Sequence, residues 1–172
     1  VTLAIDPYLS DFLATKYRGR EFPHQRLMPA PLAPADLDPL DLVLCTHRHS
    51  DHMDPETLAA IAARQPDCRF VVPAAEMDHA RSLGLPPDRL LPVDAGETIA
   101  PVAGLSMTAL PSAHESLERD AAGRHRFLGY VVRTAGLAVY HSGDTVVFPD
   151  LPEMLGALEI DVALLPVNGR DD

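Results

Sequence analysis

The sequence predicts an α/β fold, and three features support this. In the first half, apolar runs typical of strands alternate with segments that carry helix signals, which is the pattern of βαβ units. From Glu97 onward the helix signals largely disappear, and short apolar strands follow one another across tight turns. The chain has 172 residues, of which 47% are hydrophobic and 23% are charged. It is therefore long enough to bury the core of one globular domain.

The elements of the first half follow in order along the chain. Residues 1–6 (VTLAID) and 41–47 (DLVLCTH) are predicted as strands. Asp54 and Pro55 are then the N-cap and first residue of a helix over PETLAAIAAR. Two further strands, CRFVVP and RLLPVD, enclose a helix in AAEMDHARSLG that ends at Gly84. This order is the βαβ-like alternation of an α/β unit.

The stretch between Asp6 and Leu40 is predicted as a loop because six prolines interrupt it and no periodicity is evident. A loop of this length is uncommon in a compact domain unless it has a function or is mobile. It is a candidate lid that faces the substrate. A mobile surface loop is the alternative, and the sequence favours neither.

The second half is predicted to form an antiparallel or mixed sheet. Its strands are ETIA, LSMTALPSAH, RFLGYVVRT and LAVYHSGD, and TAGL is a candidate hairpin turn between the last two. A short helix in PDLPEMLGAL and a final buried strand in DVALLPV complete the order.

Charge and composition restrict the partners. The formal net charge is −11, which disfavours a nucleic acid, because a phosphate backbone is usually bound by clustered lysine and arginine. No apolar stretch approaches the roughly 18 residues of a membrane span, and no signal segment opens the chain. We expect a soluble, cytoplasmic protein in which Cys45 and Cys68 are buried, reduced thiols. The sequence is also compatible with a homo-oligomer.

The densest chemical signal is the segment THRHSDH, residues 46–52. In an extended segment His47 and His49 share one side, and a following turn can bring Asp51 and His52 to a neighbouring point. Imidazole and carboxylate ligands suit zinc, manganese or iron. The segment follows a buried strand, where open α/β sheets tend to place ligand sites. The alternative is a solvated polar loop with coincidental histidines.

Four residues cannot complete the shells of two metals, so further ligands are expected at the ends of other strands. His114 ends LSMTALPSAH, and Asp144 ends LAVYHSGD. Either residue alone could equally be a cap or turn residue. Together with THRHSDH they predict a metal site built from three segments.

The segments THRHSDH and HSGDT, with the single His114 between them, resemble the metallo-β-lactamase superfamily in order, spacing and flanking strands. The segments IDPYLS, YHSGD and LLPVNGRDD are similar to the branch that includes L-ascorbate-6-phosphate lactonase. The superfamily resemblance spans nearly the whole chain, whereas the branch resemblance depends on shorter motifs.

The resemblance implies an αββα four-layer sandwich and two divalent metal ions, zinc or manganese, with iron possible. The first ion would be held by residues matching His47, His49 and His114, and the second by those matching Asp51 and His52. Asp144 would bridge the two. The family has one more histidine ligand, and His24, His79, His125 and His141 do not occupy its place. Residues 1–172 are thus expected to be a single metallo-hydrolase domain that is incomplete at both ends.

Five residues are candidates for supporting roles. The resemblance implies that Asp6 orients a ligand histidine, although an ordinary Asp-Pro turn is the alternative. His141 and Ser142 lie beside Asp144 in the sequence and are candidate hydrogen-bond donors to the metal ligands, or strand-end residues bonded to the backbone. Asn168 and Arg170 follow the last predicted strand, and the guanidinium could hold a phosphate or carboxylate of the substrate. An ordinary surface arginine is the alternative.

These residues predict a metal-dependent hydrolase. Two metals that share a water could generate a hydroxide at neutral pH, with Asp51 or Asp144 as the proton acceptor. The branch resemblance implies a small anionic ester or lactone as the substrate. A metal-dependent phosphodiesterase and a metal-binding module without catalysis are the alternatives.

Overall fold

The computed structural model describes residues 1–167. The chain divides into two compact units, the first formed by residues 1–72 and 76–92, and the second by residues 73–75 and the chain from residue 93 onward. Each unit has its own β-sheet. The two sheets agree with the predicted α/β class, and the prediction of one domain over residues 1–172 stays a prediction.

The first unit is built on a four-stranded sheet in sequence order. Its strands are β1 (Leu3–Ile5), β2 (Leu42–Leu44), β3 (Arg69–Pro73) and β4 (Leu90–Val93). β1 pairs with β2, and β2 with β3, in parallel. Every residue of β2 is fully buried, as expected for a central parallel strand. Because parallel strands end at the same edge of a sheet, Asp6 after β1 and Thr46 after β2 emerge side by side.

Three α-helices belong to the first unit: α1 (Phe12–Lys16), α2 (Pro55–Arg64) and α3 (Met77–Ser82). The predicted start of α2 is confirmed, because the Asp54 carboxylate accepts the Glu56 amide at 3.2 Å. The predicted end of α3 is also confirmed, since Gly84 has a φ of +80° and its amide donates to the Arg81 carbonyl.

The prediction of a loop throughout residues 7–40 is wrong at two places, α1 and a 3₁₀ turn at Pro34–Asp36. Both are too short for hydrophobic periodicity to reveal them. Leu13 of α1 is buried, so tertiary packing holds this helix.

The core of the first unit lies between α2 and the sheet. Leu58 and Ile61 of α2 are fully buried with Phe70 of β3 in one cluster, and each such side chain stabilises the fold by about 1.5 to 3 kcal/mol relative to exposure. Cys45 and Cys68 are buried in the same cluster. Burial raises the pKa of the Cys45 thiol well above its usual value and that of Cys68 to about 11. Both therefore stay protonated at neutral pH, and the prediction that both are buried is confirmed.

The second unit contains a five-stranded sheet, also in sequence order. Its strands are β5 (Thr98–Val102), β6 (Leu105–Pro111), β7 (Leu128–Thr134), β8 (Leu137–His141) and β9 (Val162–Leu164). The neighbours are antiparallel except β8 and β9, which are parallel and joined through helix α4 (Leu151–Gly156). The predicted mixed sheet is confirmed. So is the hairpin between β7 and β8, where Ala135 and Gly136 both have positive φ angles, as a two-residue turn requires.

The final strand departs from the prediction. It was expected to be buried, yet Val162 and Leu164 of β9 are 45% and 49% exposed. β9 is the last strand in the order of its sheet, so within residues 1–167 its second edge pairs with no strand.

Within residues 1–167, no helix is both long enough and apolar enough to cross a membrane.

Gly129 of β7 is a position where the second unit admits no side chain. A β-carbon built there would lie 3.0 Å from the His141 carbonyl oxygen and 3.0 Å from the buried Tyr140 ring. We expect Gly129→Ala to lower the free energy of unfolding by about 1 to 3 kcal/mol through overpacking. Urea denaturation would measure the change.

Gly156, at the end of α4, is the matched control for this prediction. A β-carbon at Gly156 meets no atom within 4 Å, so Gly156→Ala should be neutral or slightly stabilising. Equal stabilities of the two variants would contradict the packing described at Gly129.

Candidate metal centre

Residues 46–52, called the histidine loop below, leave the end of β2 and turn back at once. The amides of His52 and Met53 both donate to the His49 carbonyl, at 2.9 and 2.7 Å, and the Met53 side chain is fully buried. This turn gathers three imidazoles. The ring of His47 lies 4.6 Å from that of His49 and 4.0 Å from that of His52, between centroids.

The Asp6 carboxylate holds the histidine loop at its base. Its two oxygens accept the Thr46 amide at 2.7 Å and the Thr46 hydroxyl at 2.6 Å, and one of them lies 2.7 Å from Nδ1 of His52. The side chain of Asp6 is only 6% exposed. Asp6 takes a φ of +46°, a conformation that aspartate tolerates better than most residues. These contacts orient the His52 ring, and the predicted role of Asp6 in supporting a metal ligand stays a prediction.

These hydrogen bonds define the tautomers of two histidines. An ionised carboxylate only accepts, so Nδ1 of His52 carries the proton that faces Asp6. The Thr46 hydroxyl gives its hydrogen to Asp6 and therefore accepts from Nδ1 of His47, 3.0 Å away. In the neutral form, both rings then carry a lone pair on Nε2, the state in which imidazole binds a metal.

Asp51 adds a carboxylate to this cluster. Its Oδ2 lies 3.7 Å from Nε2 of His52, and its side chain is 44% exposed. With Nδ1 of His52 protonated, both of these atoms present lone pairs to each other, an arrangement that a cation between them would stabilise. The donor set of the histidine loop therefore fits a divalent metal ion.

Thr46 helps to orient the histidine rings, a role that the sequence analysis did not predict. Its hydroxyl connects Asp6 to His47 and also lies 3.4 Å from Nδ1 of His52. The available signal was a hydroxyl residue directly before the first histidine, at the end of a buried strand. That signal alone does not distinguish this role from an ordinary turn residue.

His114 and Asp144 lie together in the second unit. β6 and β8 are both antiparallel to β7, so they run in the same direction and end at the same edge. The segments that follow them are joined by the Ala113 amide, which donates to the Thr145 hydroxyl, and by the Val146 amide, which donates to the Ala113 carbonyl. Nε2 of His114 lies 3.9 Å from Oδ2 of Asp144, and both side chains are about one third exposed.

His141 and Ser142, two further predicted site residues, bond to the backbone of the turn that follows β8. Nδ1 of His141 accepts the Gly143 amide at 3.1 Å, and the Ser142 hydroxyl donates to the Gly143 carbonyl at 2.8 Å. These contacts stabilise the turn that carries Asp144, and the proposed support of metal ligands by His141 and Ser142 stays a prediction. Asn168 and Arg170 lie outside the described residues.

Asp6 is the residue whose replacement tests the tautomers of His47 and His52. Asp6→Asn removes the carboxylate that fixes the rings of His47 and His52, so the affinity for zinc should fall about 10- to 100-fold. Competition with a chromophoric chelator would measure it. Asp88→Asn, at an exposed carboxylate of the first unit, is the control, and an equal affinity in all three proteins would contradict the role of Asp6.

Comparison with known proteins identifies the family. The family described as "Beta-lactamase superfamily domain" matches residues 2–172. A UPF0173 metal-dependent hydrolase of Opitutus terrae is 34% identical over 170 residues, covering 96% of this chain and 64% of that protein. A metal-dependent hydrolase of the same name from Methanoregula boonei is 38% identical over 141 residues, covering 79% of this chain and 57% of that protein. The chain thus spans less than two thirds of the length of these relatives.

A solved structure shows the same fold. The crystal structure of a possible metal-dependent hydrolase from Veillonella parvula has a TM-score of 0.70 and covers 92% of this chain and 62% of that chain, at 23% identity. At this identity the likeness concerns the fold alone. Together with the family match over residues 2–172, it leads to one conclusion: the chain belongs to the metallo-β-lactamase superfamily.

Proposed function

We propose that this chain carries the metal centre of a metal-dependent hydrolase that acts on a small anionic ester or lactone. The observation that carries the proposal is the bonding of Asp6 and Thr46, which places the Nδ1 proton of His47 and His52 and so leaves Nε2 as the metal-binding nitrogen of each neutral ring. The names of the relatives from Opitutus terrae and Methanoregula boonei support the hydrolase class.

The proposed ligands are those that the superfamily resemblance implies. We assign His47, His49 and His114 to a first divalent ion, and Asp51 and His52 to a second, with Asp144 shared. Imidazole and carboxylate suit zinc, manganese or iron.

The chain's own residues would divide the work of hydrolysis. A bound divalent ion lowers the pKa of water and polarises a substrate oxygen. Asp51 and Asp144 are the carboxylates able to take up a proton and return it to a leaving group, because both are partly exposed and can exchange protons with solvent. Asp6 and Thr46 keep the histidine rings in the tautomer that binds metal rather than the one that donates a proton.

The substrate class is inferred from the branch resemblance. The segments IDPYLS, YHSGD and LLPVNGRDD are similar to the branch that includes L-ascorbate-6-phosphate lactonase, which favours a sugar-derived lactone or ester with an anionic group. A panel of lactones, esters and phosphodiesters tests this inference. Turnover of phosphodiesters alone would replace the proposed substrate class.

Removal of the metal gives a second prediction. Dialysis against a chelator should abolish hydrolysis, and addition of zinc or manganese should restore it, because the bound ion lowers the pKa of the attacking water in the proposed mechanism. Metal content and turnover are measured on the same samples. Full activity in a sample without metal would contradict a metal-dependent mechanism.

Asp144→Ala gives a third prediction. Loss of the shared carboxylate and proton acceptor should lower kcat/KM at least about 100-fold and reduce the metal content per chain. Asp150→Ala is the matched control, because Asp150 is exposed and its side chain makes no capping hydrogen bond to α4. Unchanged metal content and turnover in Asp144→Ala would remove Asp144 from the site.

A further inference from the structure

Lys16 is the only lysine of the chain, and it contacts the histidine loop. Apart from histidine, all other basic residues are arginines. Lys16 is the last residue of α1, and its Nζ donates to the Ser50 hydroxyl at 3.0 Å. Ser50 stands between His49 and Asp51, both of which are proposed metal ligands. An ammonium group therefore contacts the residue that separates two proposed metal ligands.

The segment that precedes α1, the helix that carries Lys16, is anchored to the first unit by hydrogen bonds. The Leu9 amide donates to the Thr57 hydroxyl at 3.1 Å. Ser10 donates through both its amide and its hydroxyl to the carboxylate of Asp54, at 3.2 and 2.8 Å. Asp54 is fully buried and caps α2, the helix that follows the histidine loop. The segment that carries Lys16 is thus tied to the same helix end that closes the histidine loop.

Arg48 places a second cation on this side of the first unit. It is exposed between His47 and His49 in the histidine loop. The pKa of the half-buried His79 is lowered, chiefly by burial, against an opposing effect of Glu76, and the charges of Arg48 and Lys16 add to the lowering. One cation, Lys16, thus contacts the histidine loop, and another, Arg48, belongs to it, in a chain whose net charge is −11.

We propose that Lys16 and Arg48 form the subsite that binds the oxyanion group, carboxylate or phosphate, of the substrate. An ammonium group has three donors, and the bond to Ser50 occupies one of them. The exposed position of Lys16 leaves the other two accessible to a ligand. This inference rests on the proposed hydrolase function and assigns the recognition of the anion to Lys16, in the segment between β1 and β2, and to Arg48 of the histidine loop.

Kinetics with paired substrates test the subsite. Two esters or lactones with the same reacting group are compared, one carrying a phosphate and one neutral. Lys16→Gln should raise KM for the phosphate-bearing substrate about 10-fold, as expected from loss of one charge-assisted hydrogen bond, and leave KM for the neutral substrate unchanged. Lys16→Arg should stay close to the original protein because it keeps the charge.

Glutamine at position 16 distinguishes recognition of the anion from positioning of α1 against the histidine loop. Glutamine keeps a hydrogen-bond donor for Ser50 but no charge. If Lys16 only positioned α1 against the histidine loop, Lys16→Gln would retain activity, or would lose it equally on both substrates. Either result would overturn the proposal. Arg64→Gln, at an exposed arginine in the last turn of α2, controls for the change in net charge.

A binding measurement that needs no turnover separates this inference from the proposed function. Because Lys16 is the only lysine, its acetylation by an uncharged reagent that reacts with amines can be followed at this one side chain by peptide mass spectrometry. Inorganic phosphate should slow acetylation of Lys16 at least about 3-fold relative to chloride at equal ionic strength. Arg48→Gln should weaken that protection, and Arg64→Gln should not.

The outcomes of the two experiments differ for the two hypotheses. Phosphate protection of Lys16 in a protein that hydrolyses no substrate of the panel would support the anion subsite and contradict the hydrolase. Metal-dependent hydrolysis without phosphate protection, and with equal KM effects on both substrates, would overturn the subsite and leave the hydrolase in place.

Discussion

The hydrogen bonds of the Asp6 carboxylate are the interaction on which the histidine loop depends. Burying a carboxylate costs free energy unless its oxygens find donors, and here the donors are the Thr46 amide, the Thr46 hydroxyl and Nδ1 of His52. Bonds to a charged group contribute about 1.5 to 3 kcal/mol each. The buried charge therefore determines how the chain leaves β2 and which nitrogen of each ring is protonated.

A second carboxylate acts at the other end of the loop. Asp54 is buried, caps α2, and accepts hydrogen bonds from Thr57 and from Ser10. Asp6 thus fixes the start of the histidine loop, and Asp54 fixes its end together with the segment leading into α1. Because both anchors are buried and bonded to the backbone or to short side chains, the loop between them can carry polar residues without losing its shape.

The features that the sequence could predict are those that local chemistry determines. The Asp54-Pro55 start of α2, Gly84 after α3 and the turn at Ala135 and Gly136 each depend on a few neighbouring residues. The position of Lys16 beside Ser50 depends on residues 34 positions apart, and a five-residue helix has no detectable period. The apolar character of β9 suggested burial, whereas exposure is set by its place in the sheet. The role of Thr46 also required the pairing of β1 with β2.

The two ligand clusters are held by different means, which has a consequence for recognition. Main-chain bonds such as that from the Val146 amide to the Ala113 carbonyl join the segments of His114 and Asp144, whereas a buried charge organises the histidine loop. An acidic chain repels an anionic ligand at long range, yet screening limits that repulsion to about 8 to 10 Å at physiological salt. Cations that act on an anion must therefore lie close to the reacting group. Lys16 contacts the loop that carries the proposed ligands, and Arg48 belongs to that loop, which is why these two cations are proposed for this role.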